Sequence, residues 1–228
     1  MEIMAMPAQS QRSITHSMVL SLIAMALCLP GLSGCVSLAA NMLNVFKGAD
    51  VPAEFKELED KSVAIVVASD SGIGSDTTSI LMSHYLHGLL REKVKEIRLV
   101  GQNEIDKWVK GQDRQSGDFF EIGQGVKADY LVAVEVMNLS LRDGATLFRG
   151  KADVTVSVFD MTKTSRPVFR RELQEFTYPS VAGVPTTESD ESKFRRTYLL
   201  HLANRIGRYF YPSEVGADVA ADAKILNY

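Results

Sequence analysis

Residues 128–141, ADYLVAVEVMNLSL, constrain the fold more than any other stretch. The run is the strongest strand signal in the chain. Ser62–Ser69, SVAIVVAS, has a continuous apolar middle rich in Val and Ile, as expected of a strand buried on both faces. Phe148–Asp160 differs. Ala152, Val154, Val156 and Val158 alternate with Lys151, Asp153, Thr155 and Ser157, the pattern of a half-buried antiparallel strand. Arg142-Asp143-Gly144 supplies the turn between the two runs. Val168–Tyr178 predicts a third strand of this meander, with its alternation slipping at Gln174-Glu175 as at a bulge.

Helices fill the intervals. Thr77–Lys95 carries Ile80, Leu81, Leu86, Leu89, Leu90 and Val94, with Ser75, Asp76 and Thr77 as candidate caps. Glu96–Val100 is a short strand. Asn103 is placed to cap a helix with Ile105, Trp108 and Val109, and Asp118–Val126 is a third helix. Asp190–Tyr211 presents Phe194, Tyr198, Leu202, Ile206 and Tyr209 to a core, and Pro212 would stop it. The order β-α-β-α-α-β-β-β-α implies an α/β (α+β) sandwich: a mixed sheet with a C-terminal antiparallel meander and helices packed on it.

Ahead of this domain, Met18–Leu29 is twelve apolar or small residues, too short to span a bilayer comfortably but suited to a signal-peptide core. Pro30 and Gly31 end it. Leu32-Ser33-Gly34-Cys35 follows, and it resembles the lipobox of bacterial lipoproteins. The resemblance implies diacylglycerol on the Cys35 sulfur, cleavage between Gly34 and Cys35, and acylation of the new amine. Two or three acyl chains at about 0.8 kcal/mol per buried methylene anchor a protein stably. Val36 rather than Asp after the cysteine implies the outer membrane, facing the periplasm. The expected organisation is a signal peptide over 1–34, a lipidated N-terminus and tether over 35–61, the α/β domain over 62–212 and a weakly structured tail over 213–228. In the tether, Leu38, Met42, Val45 and Phe46 can share a helix face, lying on the membrane or packing on the domain. About 25 extended residues would reach on the order of 80 Å.

The net charge is −3 over 228 residues, and residues 1–34 hold one base and one acid, so cleavage leaves it unchanged. Nothing in that balance attracts nucleic acid. The two cysteines are Cys28 and Cys35, so a processed chain has one lipid-bearing sulfur and no intrachain disulfide.

Few residues suggest chemistry. The loop with Gly72, Gly74, Ser75 and Thr77 joins a strand to a helix, where amides attract anions. It lacks the third glycine of a dinucleotide fingerprint and the Gly-Lys-Ser/Thr of a P-loop, so a plain capped loop competes with a phosphate cradle. His84 and His87 share a helix face but have no third ligand nearby in sequence. No metal, cofactor or catalytic set is expected. Arg195, Arg196, Arg205 and Arg208 decorate the last helix, as a face for an anionic partner or as its solvated side.

Three segments carry a wider resemblance. SVAIVV at 62–67, GVKADYLV at 125–132 and VTVSVFD at 154–160, followed by Thr162-Lys163-Thr164, are similar to a group of bacterial envelope lipoproteins. The group holds the periplasmic domain of the curli-secretion lipoprotein, the lipoprotein activators of penicillin-binding proteins and the N-terminal domain of the Tol-system propeller protein. The resemblance covers roughly residues 52–211. It implies the fold, and a non-enzymatic role that binds another envelope protein in assembly, transport or wall synthesis. Ala68-Ser69 departs from the Pro-Phe common after the first strand. The long hairpins of a secretion pore are missing too, so no channel is expected. An envelope enzyme or phosphate binder using Asp70–Thr77, and a structural spacer, are the competing functions.

Lipidation is tested by the intact mass of the membrane-extracted protein. We expect a chain starting at Cys35 and carrying acyl chains, and a Cys35→Ala chain that keeps residues 1–34. A wild-type mass that includes residues 1–34 without lipid would refute the anchor.

Overall fold

The computed structural model describes residues 50–74, 76–111 and 118–214. Gly34, Cys35, Ser75, the signal segment, the tether as far as residue 49 and residues 215–228 lie outside them.

In chain order the elements are β1 (Asp50–Val51), β2 (Ser62–Ser69), β3 (Gly72–Ile73), α1 (Thr77–Lys93), β4 (Arg98–Leu99), α2 (Gln102–Lys110) and α3 (Phe119–Gly125). There follow β5 (Tyr130–Asp143), β6 (Leu147–Asp160), β7 (Phe169–Tyr178), β8 (Val184–Pro185), α4 (Glu191–Gly207) and β9 (Ser213–Glu214). Seven strands form one mixed sheet along β3-β2-β5-β6-β7, with β4 on β2 and β8 on β6. β2 and β5 are parallel from Val63↔Tyr130 to Ser69↔Val136. β5, β6 and β7 form the antiparallel meander. The α/β sandwich expected from the sequence is the fold observed, with short strands β1, β3, β8 and β9 added.

The two apolar runs are continuous because the sheet is covered on both sides where they lie. Val63, Ile65 and Val67 of β2, with Val132, Val134 and Val136 of β5, face a large core closed by α1 and α4. Ala64 and Val66, with Leu131 and Ala133, face a smaller core under α2 and α3. β6 sends Ala152, Val154, Val156 and Val158 to the large core. On its other face only Ser157 and Phe159 are buried, so α2 and α3 cover half of that side. Lys151, Asp153 and Thr155 stand on the open half, which explains their polarity.

The slip in β7 is a bulge. Ala152 pairs with Phe176 and Val154 with Leu173, leaving Gln174 and Glu175 opposite Asp153. The Asp153 carboxylate accepts from the Glu175 amide at 2.8 Å and from Asn138 Nδ2 at 2.8 Å. Asn138 and Glu175 have φ of 54° and 45°, so both bulges take the left-handed region and one carboxylate holds both. These bonds keep the Asp153 carboxyl below its ordinary range.

Several boundaries move. Residues 53–58, assigned to the tether by the sequence, pack into the core. Leu58 is fully buried, and the Phe55 ring lies 5.5 Å from Phe169 and 5.9 Å from Tyr130. Ser213 and Glu214, assigned to the tail, pair with Val51 and Asp50. Ile80, expected inside, is 58% exposed, because α1 buries Thr78, Ser79, Met82, Ser83, Leu86 and Leu90 instead. Gly101, not Asn103, precedes α2. α4 ends at Gly207, four residues early. Tyr211 packs over Gly207, leaving no room for a Cβ there, and residues 208–210 form a tight turn, with the Phe210 amide donating to the Gly207 carbonyl at 2.8 Å.

The quoted family-like segments have structural roles. Asp129 accepts the Ser62 amide at 2.8 Å, tying β5 to the start of β2. Asp160 accepts from the Thr162 hydroxyl at 2.6 Å and amide at 2.9 Å. The Thr162 hydroxyl is the main cause that holds Asp160 down to about 2, and Lys163 adds to it.

Gly150 lies flat against the buried ring of Tyr198, with no room for a Cβ. Gly150→Ala should lower stability by about 1–3 kcal/mol, the usual cost of overpacking. The check is a urea titration whose midpoint falls while its slope holds. An unchanged midpoint would mean that the ring moves aside freely.

Candidate functional site

The sheet gives the domain two poles. β2 and β5 run parallel, so Ser69 and the end of β5 lie at one pole, with the first turns of α1 and α4 beside them. The Glu191 carboxylate, which opens α4, receives Arg142 Nε and Nη2 from the end of β5 at 3.2 and 3.1 Å. β1, β9, Asp160 and Tyr209 lie at the other pole, where the Phe55 amide donates to the Tyr209 carbonyl at 2.9 Å. Eight residues of β2 at about 3.3 Å each, or 17 of α1 at 1.5 Å, separate the poles by roughly 25 Å.

A cleft of about 350 Å³ opens at the first pole, between the N-terminal turns of α1 and α4. Asp76, Thr77, Thr78 and Leu81 line one wall, and Ser192, Arg195 and Arg196 the other. Asp76 caps α1: Oδ1 accepts from the Ser79 amide at 2.8 Å and hydroxyl at 2.5 Å, and the Asp76 amide donates to that hydroxyl at 3.3 Å. Burial pushes the Asp76 carboxyl up, but the Ser79 bonds, with a smaller contribution from Arg195, outweigh it and hold the group below its ordinary range. Asp190 caps α4 by accepting the Lys193 amide at 2.7 Å. Arg195 pairs with Glu191 at 3.2 Å and reaches the Thr78 hydroxyl oxygen at 3.5 Å. Arg196 is exposed and has no ion pair among the described residues.

The cleft therefore brings together Thr77, Arg195 and Arg196 from two separate sequence expectations. It does not bring the rest. Gly72 and Gly74 have φ of 105° and 61° and turn the chain from β2 into β3, while the Gly74 amide donates to the Val67 carbonyl at 3.2 Å. They build a tight turn, and the Gly74 amide is already used. Arg205 lies over the Tyr209 ring at 5.2 Å, and Arg208 is one turn beyond it. Thirteen residues of helix, about 20 Å, separate Arg195 from Arg208, so the four arginines do not make one patch. His84 is exposed. Burial pushes His87 below its ordinary value, against a bond to the Val100 backbone. Among the described residues no three His, Cys, Asp or Glu are placed to hold a metal, and no helix is long and apolar enough to cross a membrane.

Two surface features were not anticipated. A hollow of about 430 Å³ lies over the β6–β7 bulge, lined by Asp153, Glu172 and Glu175 among others. Val181, 84% exposed, rides a loop whose Pro179 and Ser180 carbonyls are held by Arg149 at 3.3 and 2.8 Å.

The cap has a pH signature. Because the folded Asp76 value lies below the unfolded one, its contribution is complete above about pH 4 and is lost as pH falls through the depressed value. Asp76→Ala should cost about 0.5–2 kcal/mol at pH 7. Asp76→Asn should keep most of the cap and flatten the acid limb. Denaturant titrations from pH 7 to pH 3 measure both, and identical acid limbs in wild type and Asp76→Asn would remove Asp76 as the cause.

No protein-family model matches the chain, and no curated protein matches it. Among solved structures it is similar to the PelC dodecamer from Paraburkholderia phytofirmans, at 12% identity over 71% of this chain and 96% of that one, with a TM-score of 0.39. It is similar to the lipoprotein GNA1162 from Neisseria meningitidis, at 10% identity over 64% and 96%, with a TM-score of 0.42. The C-terminal domain of LpoB from Salmonella enterica matches at 13% identity over 61% and 94%, with a TM-score of 0.35. Likenesses this distant assign the chain neither a family nor an activity.

Proposed function

We propose that this is a non-enzymatic lipoprotein of the bacterial envelope, anchored through Cys35 in the outer membrane and facing the periplasm. In this reading it binds another envelope protein at the pole farthest from its anchor. The observation that carries the reading is the pairing of β1 with β9, which brings Asp50 and Glu214 side by side at one pole. A chain tethered at Cys35 enters the domain there. The end of β5, the cleft, Val181 and the Asp70–Gly74 turn then stand about 25 Å away. In open α/β sheets the carboxyl ends of the parallel strands commonly receive ligands. The side chains gathered at that end are ion pairs, caps and exposed apolar groups. They offer contact surface.

A photo-crosslinking amino acid placed at Ser192, an exposed residue of the cleft wall, or at Lys95, at the other end of the domain, tests this in living cells. We expect a discrete protein adduct from position 192 and little from position 95. Equal adducts from both positions, or none from 192, would refute docking at the far pole.

A further inference from the structure

Resting on that reading, we infer that the cleft between α1 and α4 receives an acidic peptide segment of the partner protein, with a carboxylate on Arg196 and a neighbouring apolar side chain on Leu81. The charges in and around the cleft are unequally committed. Asp76 is bound to Ser79, Asp190 to the Lys193 amide, and Glu191 lies between Arg142 and Arg195. Each of these acids is taken up inside the domain. Arg196 is left exposed on the cleft wall without an ion pair among the described residues.

Apolar side chains stand on both helices. Leu81 is a partly buried side chain on the opposite wall. Ile80 is 58% exposed and Leu200 41% exposed. Ile80 follows Thr77 by three residues and Leu200 follows Arg196 by four, the spacings that put side chains on one helix face. The chemical complement of an exposed cation facing a leucine across a cleft is a carboxylate beside an apolar residue.

Size and depth favour a peptide over a small anion. A volume of about 350 Å³ is at the lower edge for an enclosed ligand site and suits two or three side chains entering from a neighbouring surface. A free phosphate seeking the helix ends would meet the capping carboxylates of Asp76 and Asp190 there. A peptide carboxylate need only reach the rim.

Panning a phage-displayed random peptide library on the lipidated full-length protein in nanodiscs tests this without a known partner. We expect enriched peptides that carry Asp or Glu beside an apolar residue. Their Kd, read by fluorescence anisotropy on synthetic copies, should rise at least tenfold for Arg196→Glu, rise less for Arg196→Lys, and hold for Lys95→Glu. It should also rise with salt, as expected for an interfacial charge. Peptides without acids, no enriched peptide, or equal binding to Arg196→Glu would overturn the inference, as would full competition by millimolar inorganic phosphate. Adducts from position 192 combined with any of those results would remove the acidic-segment reading and leave far-pole docking in place.

Discussion

The parallel pairing of β2 with β5 is the constraint from which the rest follows. Two neighbouring strands with apolar side chains on both faces cannot meet water on either side. The connection between them must also cross over, and it carries α1, β4, α2 and α3. α1 closes one face and α2 with α3 close the other. Because β2 and β5 point the same way, their ends define the poles, and the start of α1 falls beside the end of β2. The position of the cleft is thus a consequence of strand direction and not of any local motif.

Beyond β5 the demand relaxes. β6 is covered on one face and on half of the other, and the open remainder of the sheet is kept in shape by polar contacts. Asp153 is central there. Its carboxylate ties a bulge on β5 to a bulge on β7 across the strand between them. Bulges add twist, and β7 is the outer strand of the meander. Arg170 with Glu172 and Arg171 with Glu54 put charge along it, which discourages pairing with another sheet. This edge is protected, whereas the cleft at the pole is open. That contrast is why the cleft, and not the sheet edge, carries the docking argument.

What the sequence revealed depended on how far each signal reaches. Strands with a period of two, or with none, were legible because burial acts on every residue of a run. The β7 bulge was legible for the same reason, as a break in a regular pattern. The core face of α4 was legible from Phe194 to Ile206, but its end was not, because the chain passes into a tight turn at 208–210 before Pro212 is reached. Ile80 was misplaced because α1 buries small polar residues, Thr78, Ser79 and Ser83, which a search for apolar periodicity passes over. Phe55 and Leu58 were read as tether because they are isolated in a charged stretch and gain their meaning from Tyr130, Phe169 and Tyr209. The cleft was legible only in pieces. Thr78 and Arg195 are 117 residues apart, and nothing local says that their helices start side by side.

The segments that suggested a family are chiefly structural, and this bears on function. Asp129, Asp160 and Thr162 close turns and fasten strand ends at the pole where the domain begins and ends. Such residues are held by the fold and reveal little about partners. Arg196, Ile80 and Val181, by contrast, are exposed at or near the far pole, where the fold leaves them facing solvent. The domain is thus divided between a pole fastened by turn and strand-end bonds and a pole whose exposed side chains the fold does not use.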